Sequence, residues 1–162
     1  CEIVKTYQLP TNKGGYMQQS AINKIDGSLW CIGHKNNSDT TGGAWIVSHW
    51  NLAESAETGG IYEPALLDSF EMPFIKWLQC IQCYKGMLVA GVGSNLYATA
   101  EDMSRILFVD TGKKSIVSEL KDFPTDISRP EIEGVDFVLG DDDKYYIVLS
   151  LRSNPALWKV EF

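Results

Sequence analysis

The chain is poor in the features that mark membrane-spanning and nucleic-acid-binding proteins. It contains no run of about eighteen apolar residues, so no segment is expected to span a membrane. Its 14 Lys and Arg residues are outnumbered by 21 Asp and Glu residues, which gives a formal net charge of -7. No basic cluster is dense enough to hold a phosphate backbone. These deficits predict a soluble protein without a nucleic-acid partner.

Cysteine is too scarce for a disulfide framework. The 162 residues include 4 cysteines, and 44% of the residues are hydrophobic, which is enough to build an apolar core without cross-links. Cys80 and Cys83 have the C-x-x-C spacing of some metal sites, but they lie in LQCIQCY, a predicted strand. Residues three apart on a strand point to opposite faces. We therefore expect two small buried side chains here, without a metal.

The chain does not begin with Met, and Cys1 stands first. Two interpretations stay open. Cys1 is the lipidated residue of a processed bacterial lipoprotein, or it is the arbitrary start of a cut or trimmed chain. A lipoprotein usually has a flexible polar tether after this cysteine, whereas the segment from Glu2 to Leu9 is typical of a strand, which favours the second interpretation.

The motifs of serine hydrolases are also missing. The chain has no G-x-S-x-G motif, and its 2 histidines, His34 and His49, do not form a unit with a serine and an acid. Lone histidines near strand ends are more often hydrogen-bonded surface groups than metal ligands. Hydrolysis by a serine triad is therefore not predicted.

What the chain does contain is repetition. The segment Ile3 to Thr11 reads IVKTYQLPT, and Ile116 to Thr125 reads IVSELKDFPT. Each is followed by a new apolar run and a tight turn, so the period is about fifty residues, the size of one four-stranded propeller blade. Turn signals at Asp26-Gly27, Gly59-Gly60 and Lys85-Gly86 separate short strand-like runs.

These patterns predict an all-β chain that forms one β-propeller domain or segment over residues 1–162. Its blades of four antiparallel strands are expected at about 12–73, 74–124 and 125–162, the last completed by residues 1–11. The third block is one strand short, and the N-terminal strand from Ile3 to Leu9 would fill the vacancy and hide a free edge. Three blades are too few to close a ring. The chain is therefore expected to be part of a longer propeller or to associate with copies of itself.

Several segments carry a resemblance to known propellers. PEIEGVDF followed by an acidic turn and YYIVLS, DGSLWCIG after QQSAI, and ILFVDTGKKSIVSEL resemble blade strands of the six-bladed SMP-30-like and NHL-like group. They also resemble the five-bladed propellers attached to phage-tail and teichoic-acid-handling proteins. The chain lacks the Asp-box of sialidase-type propellers and the Gly-His and Trp-Asp pairs of WD40 repeats. The resemblance implies a fold and a phage-tail or bacterial cell-surface setting, with no catalytic residue attached.

Candidate ligand-binding residues lie near the start of the predicted inner strands, which line a propeller channel. Trp77 is expected to stand level with Gln18 or Gln19 in the first blade and with Glu133 in the third. A tryptophan there can stack on a sugar ring while amide and guanidinium groups bind its hydroxyls. The predicted set is Gln18, Gln19, Trp77, Gln79 and Glu133, with His34 and Arg152 as rim residues.

A group of carboxylates suggests an alternative to ligand binding, namely catalysis or cation binding. Glu131 and Glu133 share one face of a strand and Asp136 lies on the other, so a pair of acids could flank a glycosidic bond or hold Ca²⁺. The aromatic and amide residues favour binding over this alternative. The chain is predicted to be a non-catalytic binding or assembly module for a glycan or protein partner, with no cofactor. The alternative is a propeller hydrolase or lactonase-like enzyme that uses these carboxylates and a divalent cation such as calcium.

Overall fold

The computed structural model describes residues 5–10, 16–35, 43–73, 77–93, 104–121, 132–151 and 154–161, with the backbone alone for 16–18 and 154–161. These residues form twelve β-strands and no helix, so the all-β prediction is confirmed. No helix in this part of the chain has the length and apolar character needed to cross a bilayer. The chain divides into two compact units, Cys1–Phe74 and Ile75–Phe162.

The first unit contains one sheet in the order β1-β5-β4-β3-β2. Strands β2 to β5 form an antiparallel meander, in which each strand pairs with the next along the chain. The strands are β1 (Thr6–Tyr7), β2 (Tyr16–Ile22), β3 (Leu29–His34), β4 (Ala44–Thr58) and β5 (Ile61–Pro73).

The hairpin of β4 and β5 is longer than the sequence predicted. Strand β3 pairs with β4 only from Trp45 to Trp50, whereas the pairing of β4 with β5 continues to Thr58 and Ile61. The predicted Gly59-Gly60 turn closes the hairpin with φ values of 62° and 83°, as a two-residue turn with both φ positive requires. The hairpin therefore extends beyond the end of β3.

The N-terminal strand does not complete the last sheet, so this part of the prediction is wrong for the residues in β1. Thr6 and Tyr7 pair in parallel with Ile61 and Tyr62 of β5. The extended hairpin provides a backbone edge within the same unit, where Gln8 N donates to the Tyr62 carbonyl at 2.8 Å. The Tyr7 and Tyr62 rings lie 5.8 Å apart, and the Lys5 ammonium lies 4.6 Å from the centre of the Tyr62 ring. These contacts stabilise β1 on the edge of β5.

The second unit contains two antiparallel sheets, in the orders β6-β7-β8-β9 and β10-β11-β12. Every connection within each sheet joins neighbouring strands, as in the first unit. The strands are β6 (Leu78–Tyr84), β7 (Met87–Val92), β8 (Arg105–Asp110), β9 (Ser115–Leu120), β10 (Ile132–Leu139), β11 (Tyr145–Leu151) and β12 (Asn154–Glu161).

A shared core joins the two sheets of the second unit, because β10 packs against β6 and β7. A side-chain hydrogen bond of 2.9 Å from Gln82 Nε2 to Asp136 Oδ1 also links β6 to β10. The apolar cluster draws on both sheets and contains Cys80, Val89, Ile106, Ile132, Phe137, Ile147, Leu149 and Leu151. Burial of such side chains is the main favourable term in folding.

The second strand of each four-stranded meander is buried without alternation. In β3 and β7 the last five residues are all buried, so both faces of these strands are covered. The outer strand β9, in contrast, is exposed along most of its length. Polar and charged residues are therefore concentrated on the outer strands and at the strand ends.

The hairpin predicted at Asp26-Gly27 forms, but with a longer loop. The last ladder pair is Ile22 with Leu29, and Asn23 N donates to the Ser28 carbonyl at 2.8 Å. The Asp26 carboxylate then accepts from Ser28 N at 2.8 Å and from Ser28 Oγ at 2.6 Å. At Lys85-Gly86 the predicted two-residue turn is confirmed, because Tyr84 pairs directly with Met87.

Gly91 provides a test of the packing between β7 and β10. A Cβ added there would lie 2.7 Å from Cys80 Sγ and 2.8 Å from Ile132 Cγ2. We expect Gly91→Ala to lower the free energy of unfolding by about 1–3 kcal/mol, because overpacking a dense core forces its neighbours apart. Urea unfolding measures the change.

Gly134→Ala is the matched control, because its Cβ would meet Ser150 Cβ at an ordinary 3.5 Å. This variant should change the free energy of unfolding by less than about 0.5 kcal/mol. Equal stability of the two variants would contradict the close packing at Gly91.

Candidate functional site

The same irregularity in strand pairing occurs near the start of β2, β6 and β10, the strands that begin the three antiparallel meanders. The pairing shifts by one residue between Met17 and Gln19 in β2, between Leu78 and Cys80 in β6, and between Ile132 and Gly134 in β10. The extra residues are Gln18, Gln79 and Glu133. A one-residue β-bulge bends the strand and re-aims a side chain, and bulges are enriched beside functional sites. Three of the predicted site residues therefore occupy structurally equivalent bulge positions.

In β6, the bulge follows a residue with unusual backbone geometry. Trp77 has φ of 62°, a left-handed conformation that is a genuine outlier for a bulky residue. Its carbonyl accepts a hydrogen bond from Gly93 N at 2.9 Å, which extends the β6–β7 pairing by one step. The Gln79 amide donates to the Gly93 carbonyl at 3.3 Å. Trp77 is partly buried, and its indole Nε1 is buried.

In β10, the equivalent residue is an exposed acid. Glu133 lies close enough to Cys80 to influence its thiol: burial raises the pKa of Cys80 to about 11, and the charge of Glu133 adds to the rise. Since β10 packs on β6, the two bulges of this unit lie on strands in contact. A carboxylate and an amide therefore lie near the starts of two strands that pack together.

In the first unit, the bulge lies next to the end of β3. Gln18 is the extra residue, and its side chain is outside the described part of the structure. Gln19 is partly buried and pairs with Ile32, and His34 is the last residue of β3 and pairs with Trp45. His34 is only 8% exposed, so it is a buried residue at the end of β3.

The registers correct the alignment of the three repeats. Gln79, not Trp77, stands level with Gln18 and Glu133, because these three are the extra residues of the bulges. Trp77 lies two residues before Gln79, level with Tyr16 of the first sheet. The sequence alone did not show the bulge.

The remaining predicted residues are not brought together by the described structure. Arg152 and Glu131 lie outside the described residues. The Asp136 carboxylate accepts hydrogen bonds from Gln82 Nε2 at 2.9 Å and from Phe137 N at 2.8 Å, so it links the sheets of the second unit. Within the ranges that the structure describes, no group of three or more His, Cys, Asp or Glu side chains is placed to hold a metal ion.

Several buried polar atoms lie at the same strand ends, and sequence reasoning missed them. Trp45 Nε1, Ser104 Oγ and Arg105 Nε have no hydrogen-bond partner among the described residues, although Arg105 lies 4.0 Å from a Glu119 oxygen. Trp45 and Ser104 occupy equivalent positions in the two sheets. Trp45 pairs with His34 at the end of β3, and Ser104 directly precedes Arg105, which pairs with Val92 at the end of β7. Buried polar groups normally have a partner, so these strand ends contain unused hydrogen-bonding capacity.

Comparison with protein-family models gives no match for this chain, and comparison with curated proteins gives none either.

A second polar cluster lies at the opposite end of the first sheet. His49 stacks on Trp30, with ring centres 4.0 Å apart and an interplanar angle of 7°. It also pairs across the ladder with Asp68. Burial lowers the pKa of His49 below its ordinary value, and the negative charges of Asp26 and Asp68 oppose this shift. The Ser28 hydroxyl bond holds the pKa of Asp26 below its usual value, which keeps that carboxylate ionised.

The lowered pKa of His49 predicts how stability changes with pH. Because the folded state binds a proton at His49 less readily than the unfolded state, the protein gains stability above the unfolded pKa of about 6.5 and loses it as the pH falls through and below that value. Chemical unfolding between about pH 7.5 and 5 measures this slope.

The control is His49→Gln, which cannot titrate in this range. Its free energy of unfolding should fall less steeply over the same interval than that of the original protein. If the two curves run parallel, His49 does not contribute to the pH dependence.

Proposed function

We propose that the three sheets are blades of a β-propeller, in which four-stranded antiparallel sheets surround a central channel. Two features support this proposal. Strands β2 to β5, β6 to β9 and β10 to β12 each form an antiparallel meander, in which every strand pairs with the next along the chain. Their first strands also share one bulge at one position. A repeated unit with a repeated irregularity is typical of repeat architectures.

We further propose that the protein is a non-catalytic binding module for a glycan or protein partner, in a phage-tail or bacterial cell-surface setting. The observation that carries this function is the recurrent bulge, which in the second unit places Gln79 and Glu133 near the starts of two strands that pack together. Amide and carboxylate groups at these positions can bind the hydroxyls of a sugar or the backbone of a peptide. Trp77, immediately before one bulge, adds an indole ring for stacking.

The strained backbone of Trp77 supports its role in binding. A left-handed conformation at a non-glycine residue costs of order 1–3 kcal/mol and is found most often where structure serves a function. Glycine or asparagine would adopt this φ with less strain. Tryptophan here is therefore better explained by what its side chain binds than by local backbone preference.

The third sheet indicates a further kind of partner. It has three strands in the described residues, whereas the other sheets have at least four, and β12 lies at its edge. An unpaired edge strand is a template for another strand. We propose that a second copy of the chain or a further part of a longer propeller pairs with β12.

Binding to a panel of immobilised bacterial cell-wall polysaccharides tests the glycan proposal. We expect Trp77→Ala and Gln79→Ala each to weaken binding about five- to thirtyfold, because each removes a stacking or hydrogen-bonding group worth about 1–2 kcal/mol. Glu133→Gln should weaken binding less, since it keeps the side-chain shape and an acceptor.

Glu63→Gln is the control for charge, because Glu63 is exposed on β5 within the other unit. It should bind like the original protein. A ligand that binds all four variants with equal affinity would place the site elsewhere and contradict the proposal. Native mass measurement on the same samples reports whether the chain associates.

A further inference from the structure

A buried serine lies at the end of the β6–β9 sheet that also contains the β6 bulge. Ser104 directly precedes β8, which begins at Arg105, and only 8% of Ser104 is exposed. Its Oγ has no hydrogen-bond partner in the described part of the chain. Buried hydroxyl groups are normally paired, because an unpaired one loses its hydrogen bonds to water and gains none in return. The fold therefore buries a polar group that the described residues do not use.

The register places Ser104 level with Trp77 and Gly93. Val92 pairs with Arg105 in an antiparallel ladder, so the residue after Val92 stands opposite the residue before Arg105. Gly93 N donates to the Trp77 carbonyl at 2.9 Å. Trp77, Gly93 and Ser104 thus form one row at the ends of β6, β7 and β8, which we call the end row.

The end row is connected to the bulge of β6. The Gln79 amide donates to the Gly93 carbonyl at 3.3 Å. Two residues of the row also have positive φ values, 62° at Trp77 and 105° at Gly93. Such a conformation is strained at a bulky residue, and strain of this kind is concentrated at functional sites. Ser104 therefore lies beside the residues proposed for binding.

The equivalent row of the first sheet contains larger side chains. Alignment of the bulges in β2 and β6 places His34 at the position of Gly93 and Trp45 at the position of Ser104. His34 is 8% exposed, and Trp45 is fully buried. An imidazole and an indole ring thus stand where the β6–β9 sheet has a hydrogen atom and a hydroxymethyl group. Because these two positions fill much less space in the second unit, they favour a ligand there over the first unit.

Alternation along β8 determines the surroundings of the Ser104 hydroxyl. Ser104 lies on the same face as Ile106, a member of the apolar cluster shared with β10, whereas Arg105 lies on the other face. Cys80 belongs to the same cluster, and its pKa is raised first by burial and then by the negative charge of Glu133. A charged ligand group buried here would need an opposite charge, and an anion would be repelled by Glu133. A neutral hydroxyl suits a serine, which can both donate and accept.

We propose that Ser104 is a further ligand-binding residue of the site at Trp77 and Gln79, and that it forms a hydrogen bond with a neutral hydroxyl group of a sugar ring. This inference rests on the binding function proposed above. A serine side chain has three staggered rotamers, and Ser104 is partly accessible at 8% exposure. A rotation about its Cα–Cβ bond turns the hydroxyl from its buried position toward the ligand. The site therefore selects neutral glycans over anionic ones.

Ser104→Ala tests the proposal on the panel of immobilised polysaccharides, in which neutral polysaccharides are compared with teichoic acids. The variant should bind the neutral polysaccharides about fivefold more weakly, the loss expected for one neutral hydrogen bond. Its melting temperature should stay the same or rise, because removal of an unpaired buried hydroxyl leaves no other described group without a partner. A loss of affinity accompanied by a lower melting temperature would assign Ser104 a structural role and overturn the proposal.

Trp45→Phe is the matched control, because it removes a buried donor, Nε1, that also has no partner among the described residues and lies at the equivalent position of the first unit. It should bind like the original protein. Weak binding by Trp77→Ala together with full affinity in Ser104→Ala would overturn this inference and leave the proposed function intact. Tighter binding to teichoic acids than to every neutral polysaccharide would overturn the preference for a neutral hydroxyl. Absence of binding to the whole panel would contradict the glycan proposal itself, and this inference with it.

Discussion

The registers of three strand pairs, β2 with β3, β6 with β7 and β10 with β11, are the constraint on which the rest of the structure depends. Side chains alternate along a strand, so one extra residue reverses the face of everything beyond it. In β6 the extra residue is Gln79, which is partly buried and lies between the buried residues Leu78 and Cys80. Gly91 opposite Cys80 then has to lack a side chain, because Ile132 of β10 occupies the same space.

Along β6, the residues that pack in the core lie at the centre of the strand, and polar groups lie at its ends. Its middle supplies Cys80 to the core that joins the two sheets of the second unit. Its start holds Trp77 and the bulge, and its end holds Tyr84 and Lys85. Polar groups at both ends are attached to a strand whose centre is rigidly packed, and such support is what a precise binding site requires. The centre of β6 therefore stabilises the fold, and the residues proposed for binding lie at its start.

The sequence predicted the all-β class, most strand positions and the turns at Gly59-Gly60 and Lys85-Gly86, because these follow from local periodicity and turn chemistry. It did not predict the bulges, since an extra residue is visible only when two strands are paired. It also misplaced β1, because the competing edge on β5 arises from a hairpin extension that no short-range signal marks. Gln18, Gln79 and Glu133 were selected as site residues, but their equivalence depended on the register.

Cross-strand nuclear Overhauser effects test the central claim most directly. The three bulged registers predict backbone contacts between Cys80 and Gly91, Gln19 and Ile32, and Gly134 and Ser150, on one side of each bulge. On the other side they predict Leu78 with Val92, Met17 with Gly33, and Ile132 with Leu151. Contacts that instead place Gln79 opposite Gly91, Gln18 opposite Ile32 and Glu133 opposite Ser150 in uninterrupted ladders would contradict them.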